Sequence, residues 1–393
     1  MLISYRFNNF CSFNCDSEFS MTAPTNKVRN RFPDNYVEFE DEFDLLKTAV
    51  IVGENAGGKS NFINSLKYLK SLFVTNTQVK SIRSFVNAAS LNDETNPVQK
   101  FELCFRADNG IIYMYHLHIN ENGIIYEELQ TLKKKNAKPS TVFKVHKMDK
   151  GFQLEGKIGI KLPEVVLKKL FAEDSIGLMV SKFALLAEPD AVAATDWITN
   201  KLYPEALVSD KSDDIIKQDA DMRILEDERY LEIFRMVDYS ICGIEIDKEK
   251  PYSKTIIVRK DENGNHFKRE LQMDSTGVRE FFAWAVHIFR VVYENKVVFA
   301  DEMDRVLNPI LSDRVIAFVN GAEHNGQFIF STHNVLHLDL KTYMKEQIYF
   351  VTKNREQLTS EMYALSDFPE VRYETSKIYE FYMKGILGGT AFE

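Results

Sequence analysis

The segment Gly53-Glu54-Asn55-Ala56-Gly57-Gly58-Lys59-Ser60 has the spacing G-x-x-x-x-G-K-[ST], the pattern of a loop that wraps phosphate groups. Glycines let the chain curl until successive backbone N–H groups face one anion. A helix starting at the loop adds the positive end of its dipole. Lys59 supplies a mobile ammonium for the outer phosphates, and Ser60 supplies a hydroxyl for Mg²⁺. Asn61, the next residue, is counted with the loop as part of the binding segment.

Such a loop works with a carboxylate on a neighbouring strand. Val297-Val298-Phe299-Ala300-Asp301-Glu302 offers two: Asp301 to hold Mg²⁺, directly or through water, and Glu302 to polarise an attacking water as general base. The plain alternative is a strand with a solvated acidic end, and the loop motif is what favours the chemical reading. Phe328-Ile329-Phe330-Ser331-Thr332-His333 is an apolar strand ending in a histidine that can hydrogen-bond a terminal phosphate. A lone histidine there is more often structural. Ser275 and Gly277, in Asp274-Ser275-Thr276-Gly277-Val278-Arg279-Glu280, open a helix and so suit an anion. Taken alone, that segment reads first as an ordinary N-cap.

The elements that must position these groups are visible as hydrophobic patterns. Thr48-Ala49-Val50-Ile51-Val52 is a short apolar run, rich in β-branched residues, ending at Gly53, and is expected to be a buried strand. From Ser60 to Phe73, Phe62, Ile63, Leu66, Leu69, Leu72 and Phe73 fall at helical spacing. Residues 98–146 read as an antiparallel meander, with turns at Asp108-Asn109-Gly110 and Asn120-Glu121-Asn122-Gly123. Helical patterns run from Pro163 to Phe171, Asp190 to Leu202 and Asp213 to Val237. Residues 244–272 return to strands, 277–293 form a strong helix, and Leu311 to Asn320 is helical. The expected organisation is an N-terminal lobe over 1–160, a helical insertion over 161–240 and a C-terminal lobe over 241–393.

Bulk properties limit the alternatives. The chain has 393 residues, 45% hydrophobic and 27% charged, enough for a large soluble core. Its net charge of −9 is the opposite of the basic excess typical of proteins that coat DNA. The one dense basic run, Lys133-Lys134-Lys135 with Lys138, reads as a solvated hairpin tip before a nucleic-acid contact. Cys11, Cys15, Cys104 and Cys242 show no metal-type pairing, and Cys11 and Cys15 are expected to be reduced core residues. The start of the chain lacks a signal-peptide pattern, and no apolar run reaches the roughly 20 residues of a membrane span. The expectation is a cytoplasmic, soluble protein with no membrane partner.

In chain order the four segments resemble the ABC-type ATPase heads: Walker A at 53–60, signature at 274–280, Walker B at 297–302 and a switch histidine at 333. The start, Met1-Leu2-Ile3-Ser4-Tyr5-Arg6-Phe7-Asn8-Asn9-Phe10-Cys11-Ser12-Phe13, is similar to the opening strand of the RecF- and SMC-like branch. Within it, Asp274-Ser275-Thr276-Gly277, Asp301-Glu302-Met303-Asp304 and Ser331-Thr332-His333-Asn334 resemble the standalone ATPases of bacterial anti-phage defence, of the RloA/AbiL abortive-infection and PARIS types. The likeness covers roughly residues 1–120 and 240–340.

The resemblance implies an α/β fold: an ABC-type P-loop ATPase head with a mixed sheet, an antiparallel β-subdomain and a helical insertion. It implies ATP and Mg²⁺, and a homodimer or higher oligomer in which ATP is sandwiched head to tail. Ser275 and Gly277 would then face the partner copy's Walker A, Glu302 and His333 would act from the Walker A side, and Asp304 would lie in the loop that crosses the dimer. The signature is degenerate against the usual Leu-Ser-Gly-Gly-Gln, and Leu307-Asn308-Pro309 replaces a frequent Leu-His-Pro. Gln78 and Gln99 are the candidates for the Q-loop. The expected role is an ATPase controlling a separate toxin or nuclease. The alternatives are a RecF-like DNA repair ATPase, which would touch nucleic acid, and a nucleotide-gated scaffold with little turnover.

Overall fold

The computed structural model describes residues 1–40, 43–74, 79–91, 97–134, 137–149, 151–156, 163–170, 177–206, 219–354, 356–374 and 377–388. At its centre is a six-stranded sheet in the order Leu202–Ala206, Val297–Ala300, Gln327–Thr332, Thr48–Val52, Ile348–Lys353, Ser360–Ala364. The first five strands are parallel and the last is antiparallel. Parallel strands are covered on both faces, which is why Thr48–Val52 and Val297–Ala300 are wholly buried and carry unbroken apolar runs.

Alternation along these strands divides the interior in two. Ala49, Ile51, Val297, Phe299, Ile329, Tyr349 and Val351 point into one core. Val50, Val52, Val298, Ala300, Phe328, Phe330, Ile348 and Phe350 point into the other. Burying each such side chain contributes about 1.5–3 kcal/mol, so a slip of one residue in any central strand would empty both cores at once.

The first core is closed by a seven-stranded antiparallel sheet in the order Phe152–Glu155, Ser140–Lys147, Gly123–Leu132, Ile112–Asn120, Gln99–Arg106, Leu2–Asn8, Ser17–Ser20. The helix Lys59–Val74 lies between the two sheets. Its Phe62 ring is 6.0 Å from Phe299 on one side and 6.1 Å from Tyr5 on the other, and Tyr5 donates to Ser65 Oγ at 2.9 Å. The buried Gln327 side chain ties the opening strand to the central sheet, accepting from Leu2 N and donating to the carbonyls of Leu2 and Leu46.

The second core is built on the helix Thr276–Glu294, which is buried without a break from Phe281 to Val292 and sets Trp284 edge-on to Phe328 at 5.6 Å. The helix ends at Asn295, which takes a left-handed φ of 54°. A three-stranded sheet, Ile241–Glu245, Ile256–Lys260, His266–Glu270, leads into it, and Pro309–Gly321 packs beside it.

The middle of the chain, expected to be a helical insertion, contains helices and a strand. Glu164–Leu170, Met179–Leu185 and Pro189–Asp196 are helices, and the last runs into a π-type turn at Trp197–Lys201. Leu202, the expected helix end, instead begins Leu202–Ala206, the outer parallel strand of the central sheet. Two tertiary contacts fix this switch: Trp197 stacks on Phe105 at 4.1 Å, and Lys70 Nζ donates to the Leu202 carbonyl at 2.8 Å. The expected helix from Asp213 divides into Asp219–Leu225 and Glu228–Phe234, with Asp227 capping the second through Arg229 N; residues 213–218 lie outside the described residues. Met179–Leu185 is pinned by the buried Glu127, which accepts from Met179 N at 2.7 Å and Val180 N at 2.8 Å.

Lys133, Lys134 and Lys138 are exposed at a hairpin tip, as expected, and Lys135 lies outside the described residues. The cysteines are free; Cys15 is exposed, so it is not a core residue, while Cys11 is half-buried and packs against the first core. Among the described residues no helix is long and apolar enough to cross a membrane.

Candidate functional site

Because the central strands are parallel, their carboxyl ends share one edge of the sheet, where ligands of such folds collect. Thr48–Val52 runs into the Gly53–Gly58 loop, Val297–Ala300 into Asp301 and Glu302, and Gln327–Thr332 into His333. The acidic strand is not the immediate neighbour of the loop strand. The histidine strand lies between them, pairing with Ala300 through Phe330 and with Val52 through Thr332.

The loop glycines are needed for space. A Cβ on Gly53 would stand 2.1 Å from the carbonyl oxygen of Val351, and one on Gly57 would stand 2.9 Å from the same atom. Gly58, at φ +121°, would bring its Cβ to 2.4 Å from Ser360 Oγ. Ser360 is fully buried. Its hydroxyl donates to the Gly57 carbonyl at 2.5 Å and lies 2.7 Å from Ser12 Oγ, which also accepts from Asn61 Nδ2 at 2.8 Å. The loop is thus clamped between the N-terminal turn and the last strand of the sheet. Glu54 is half-buried, while Asn55, Ala56 and Ser60 are exposed.

Lys59 is 5% exposed, and its Nζ donates to the carbonyls of Gly53 at 2.6 Å and Glu54 at 3.0 Å. It also lies 3.5 Å from His333 Nδ1, which is the acceptor of that contact. Burial pushes the ammonium below its ordinary pKa, while Asp301, then Asp304, Glu302 and Glu54 pull it back up. Asp301 accepts from Ser331 Oγ, and the same hydroxyl accepts from Glu302 N at 2.8 Å. Glu302 has a left-handed φ of 50°, and its Oε2 meets Arg305 at 3.1 Å. Asp304 Oδ1 accepts from the His333 backbone N–H at 3.1 Å, joining the acidic turn to the histidine turn.

Lys59, Asp301, Glu302, Asp304 and His333 therefore converge, although they come from opposite ends of the chain. Ser275 and Gly277 do not join them. Both are exposed, Ser275 caps its own helix by accepting from Val278 N at 3.4 Å, and nothing lies within 4 Å of a Cβ on Gly277. Among the described residues no hydrogen bond or ion pair links them to the loop. Gln99 is also elsewhere, donating to the carbonyls of Asn9 and Phe85, and Gln78 lies outside the described residues.

Among the described residues no cluster of three or more His, Cys, Asp or Glu could hold a metal ion. The donors present are hard oxygens, the Asp301 carboxylate and the exposed Ser60 hydroxyl. That set fits Mg²⁺, which takes one or two protein oxygens and completes its shell with water and phosphate. Ser12, Ser360 and Arg305 were not identified from the sequence, since isolated serines and a surface arginine carry no spacing signal.

Residues 49–339 match the family described as "AAA domain, putative AbiEii toxin, Type IV TA system". Comparison with curated proteins finds no match. Similar solved structures include the SMC head domain from Thermotoga maritima, 16% identical with a TM-score of 0.43, over 92% of this chain and 98% of that one. An SMC head bound to the C-terminal winged-helix domain of ScpA is 13% identical with a TM-score of 0.50, over 92% and 97%. An SMC head from Pyrococcus furiosus with an extended coiled coil, bound to the C-terminal domain of ScpA, is 12% identical with a TM-score of 0.45, over 98% of both chains. The fold is that of an SMC-type ATPase head, and since the family match spans well over half of the sequence, the chain belongs to this AAA-domain family.

Proposed function

We propose that the chain binds ATP at Gly53–Asn61 and hydrolyses it between two copies arranged head to tail, and that this ATPase governs a separate effector in an anti-phage, abortive-infection system. One observation carries the hydrolytic reading: Lys59, Asp301, Glu302 and His333 meet at a single sheet edge, held by Ser331 and Asp304. Lys59 would exchange the carbonyls of Gly53 and Glu54 for the outer phosphate oxygens. Glu302 would take a proton from the water that attacks the terminal phosphorus, as the bond from that phosphorus to the bridging oxygen breaks and ADP leaves. His333 would hydrogen-bond the terminal phosphate through Nε2. Mg²⁺ on Ser60 and Asp301 would offset phosphate charge. Ser275 and Gly277, exposed at a helix start, suit the terminal phosphate held by the other copy.

The defence reading rests on the family description, which names a putative AbiEii toxin of a type IV toxin–antitoxin system, and on the resemblance of Asp274–Gly277, Asp301–Asp304 and Ser331–Asn334 to defence ATPases. The SMC head of similar fold is bound to a domain of ScpA, and the effector proposed here would likewise be a separate chain. Phosphate release and ATP binding test the first part. Lys59→Ala is expected to weaken ATP binding, and Glu302→Gln to keep binding while abolishing turnover and trapping the dimer. Turnover by Glu302→Gln at the native rate would remove Glu302 as the base.

A further inference from the structure

The side chain assigned as base is held by a neighbour outside the phosphate site. Glu302 Oε2 pairs with Arg305 at 3.1 Å, and among the described residues Arg305 meets no other carboxylate. The Arg305 side chain is 69% exposed and that of Glu302 36%, so the pair lies toward solvent, whereas Lys59 is 5% exposed. The Glu302 carboxylate is therefore engaged by Arg305 at the solvent-facing side of the acidic turn.

The backbone leaves little other freedom. Ser331 fixes the Glu302 N–H, and φ of 50° holds the residue in the left-handed region, which is costly for a side chain larger than glycine's. What can change is the side-chain torsion, and the Arg305 pair holds the one seen here. We propose that Arg305 is a positioning residue that restrains Glu302 in the single chain, so that turnover requires this ion pair to open. The proposal rests on Glu302 being the base. An exposed pair of this kind biases the side chain by about two- to fivefold, so the restraint tunes turnover and does not lock it.

The test measures phosphate release by the native chain, Arg305→Ala and Arg305→Lys, each alone and combined with Glu302→Gln. Arg305→Ala is expected to raise kcat about two- to fivefold with KM for ATP unchanged, while Arg305→Lys, which keeps the charge, stays near the native rate. In the Glu302→Gln background, Arg305→Ala is expected to change nothing. An unchanged or lowered kcat in Arg305→Ala, an equal rise in Arg305→Lys, or a gain that survives Glu302→Gln overturns the restraint, as does absence of turnover in every protein. Native turnover by Glu302→Gln alone would instead refute the base assignment, which separates the two failures.

Discussion

Gly277→Asp isolates the second copy from the first. Position 277 is exposed near the start of the helix Thr276–Glu294, and an added Cβ there meets nothing within 4 Å. Within one chain the substitution has no steric cost. It replaces glycine with a better helix former and places a negative charge in the first turn, where the dipole stabilises it by about 0.3–1 kcal/mol. The folded chain is therefore expected to be as stable as the native one or slightly more so, and ATP binding to the single chain is expected to be unaffected. Across a head-to-tail pair the same carboxylate would face the terminal phosphate. Two unit charges about 5 Å apart at an effective dielectric of about 20 repel by about 3 kcal/mol, or roughly a hundredfold in rate or association. Thermal unfolding and fluorescent-ATP titration check the first half. Phosphate release, and sedimentation of the dimer trapped by Glu302→Gln, check the second. A stable Gly277→Asp protein with native turnover and an intact trapped dimer would refute the composite site.

Gly53→Ala tests the loop within one chain: its Cβ would stand 2.1 Å from Val351 O, an overpacking of about 1–3 kcal/mol, so ATP affinity is expected to fall by about five- to 150-fold. Unchanged affinity in the fluorescent titration would show that the loop does not press on Val351 when it binds. Glu127 gives a pH signature, because burial pushes its carboxyl up to about 7, well above the ordinary carboxylate range. The folded state then binds the proton more tightly than the unfolded one, so this contribution is complete below about pH 4.5 and is lost as pH rises through about 7. Urea unfolding across that range is expected to show Glu127→Gln gaining on the native chain by on the order of 3 kcal/mol, and parallel curves would eliminate Glu127 as the titrating group.

What could be read from the sequence was local. Thr48–Val52 and Val297–Ala300 are legible because strands covered on both faces need unbroken apolar runs, and the loop is legible because its glycines answer to nearby backbone. The helix before Asn295 is legible because it is apolar almost all round. Leu202 reads as a helix end yet opens the strand Leu202–Ala206: Leu-Tyr-Pro-Glu-Ala shows no alternation, and its strand character comes from pairing with Val297–Ala300. Ser12 and Ser360 lie 348 residues apart and meet only when the two ends of the chain fold together. The position of His333 between loop and acids depends on strand order, which hydrophobic pattern does not encode.

The central strand Thr48–Val52 has both of its neighbours, Gln327–Thr332 and Ile348–Lys353, in the far part of the chain, and Gln347 reaches back across 299 residues to hydrogen-bond Thr48. A ribosome adding about 5–20 residues per second needs roughly 15–60 seconds to deliver those neighbours after the first strand has been made. Throughout that interval the glycine turn has no Val351 to lean on and no Ser360 to hold it. The nascent polypeptide consequently cannot assemble its phosphate cradle early. Competence to bind nucleotide arrives late and together with the finished sheet, so a truncated or stalled product would be an inert one.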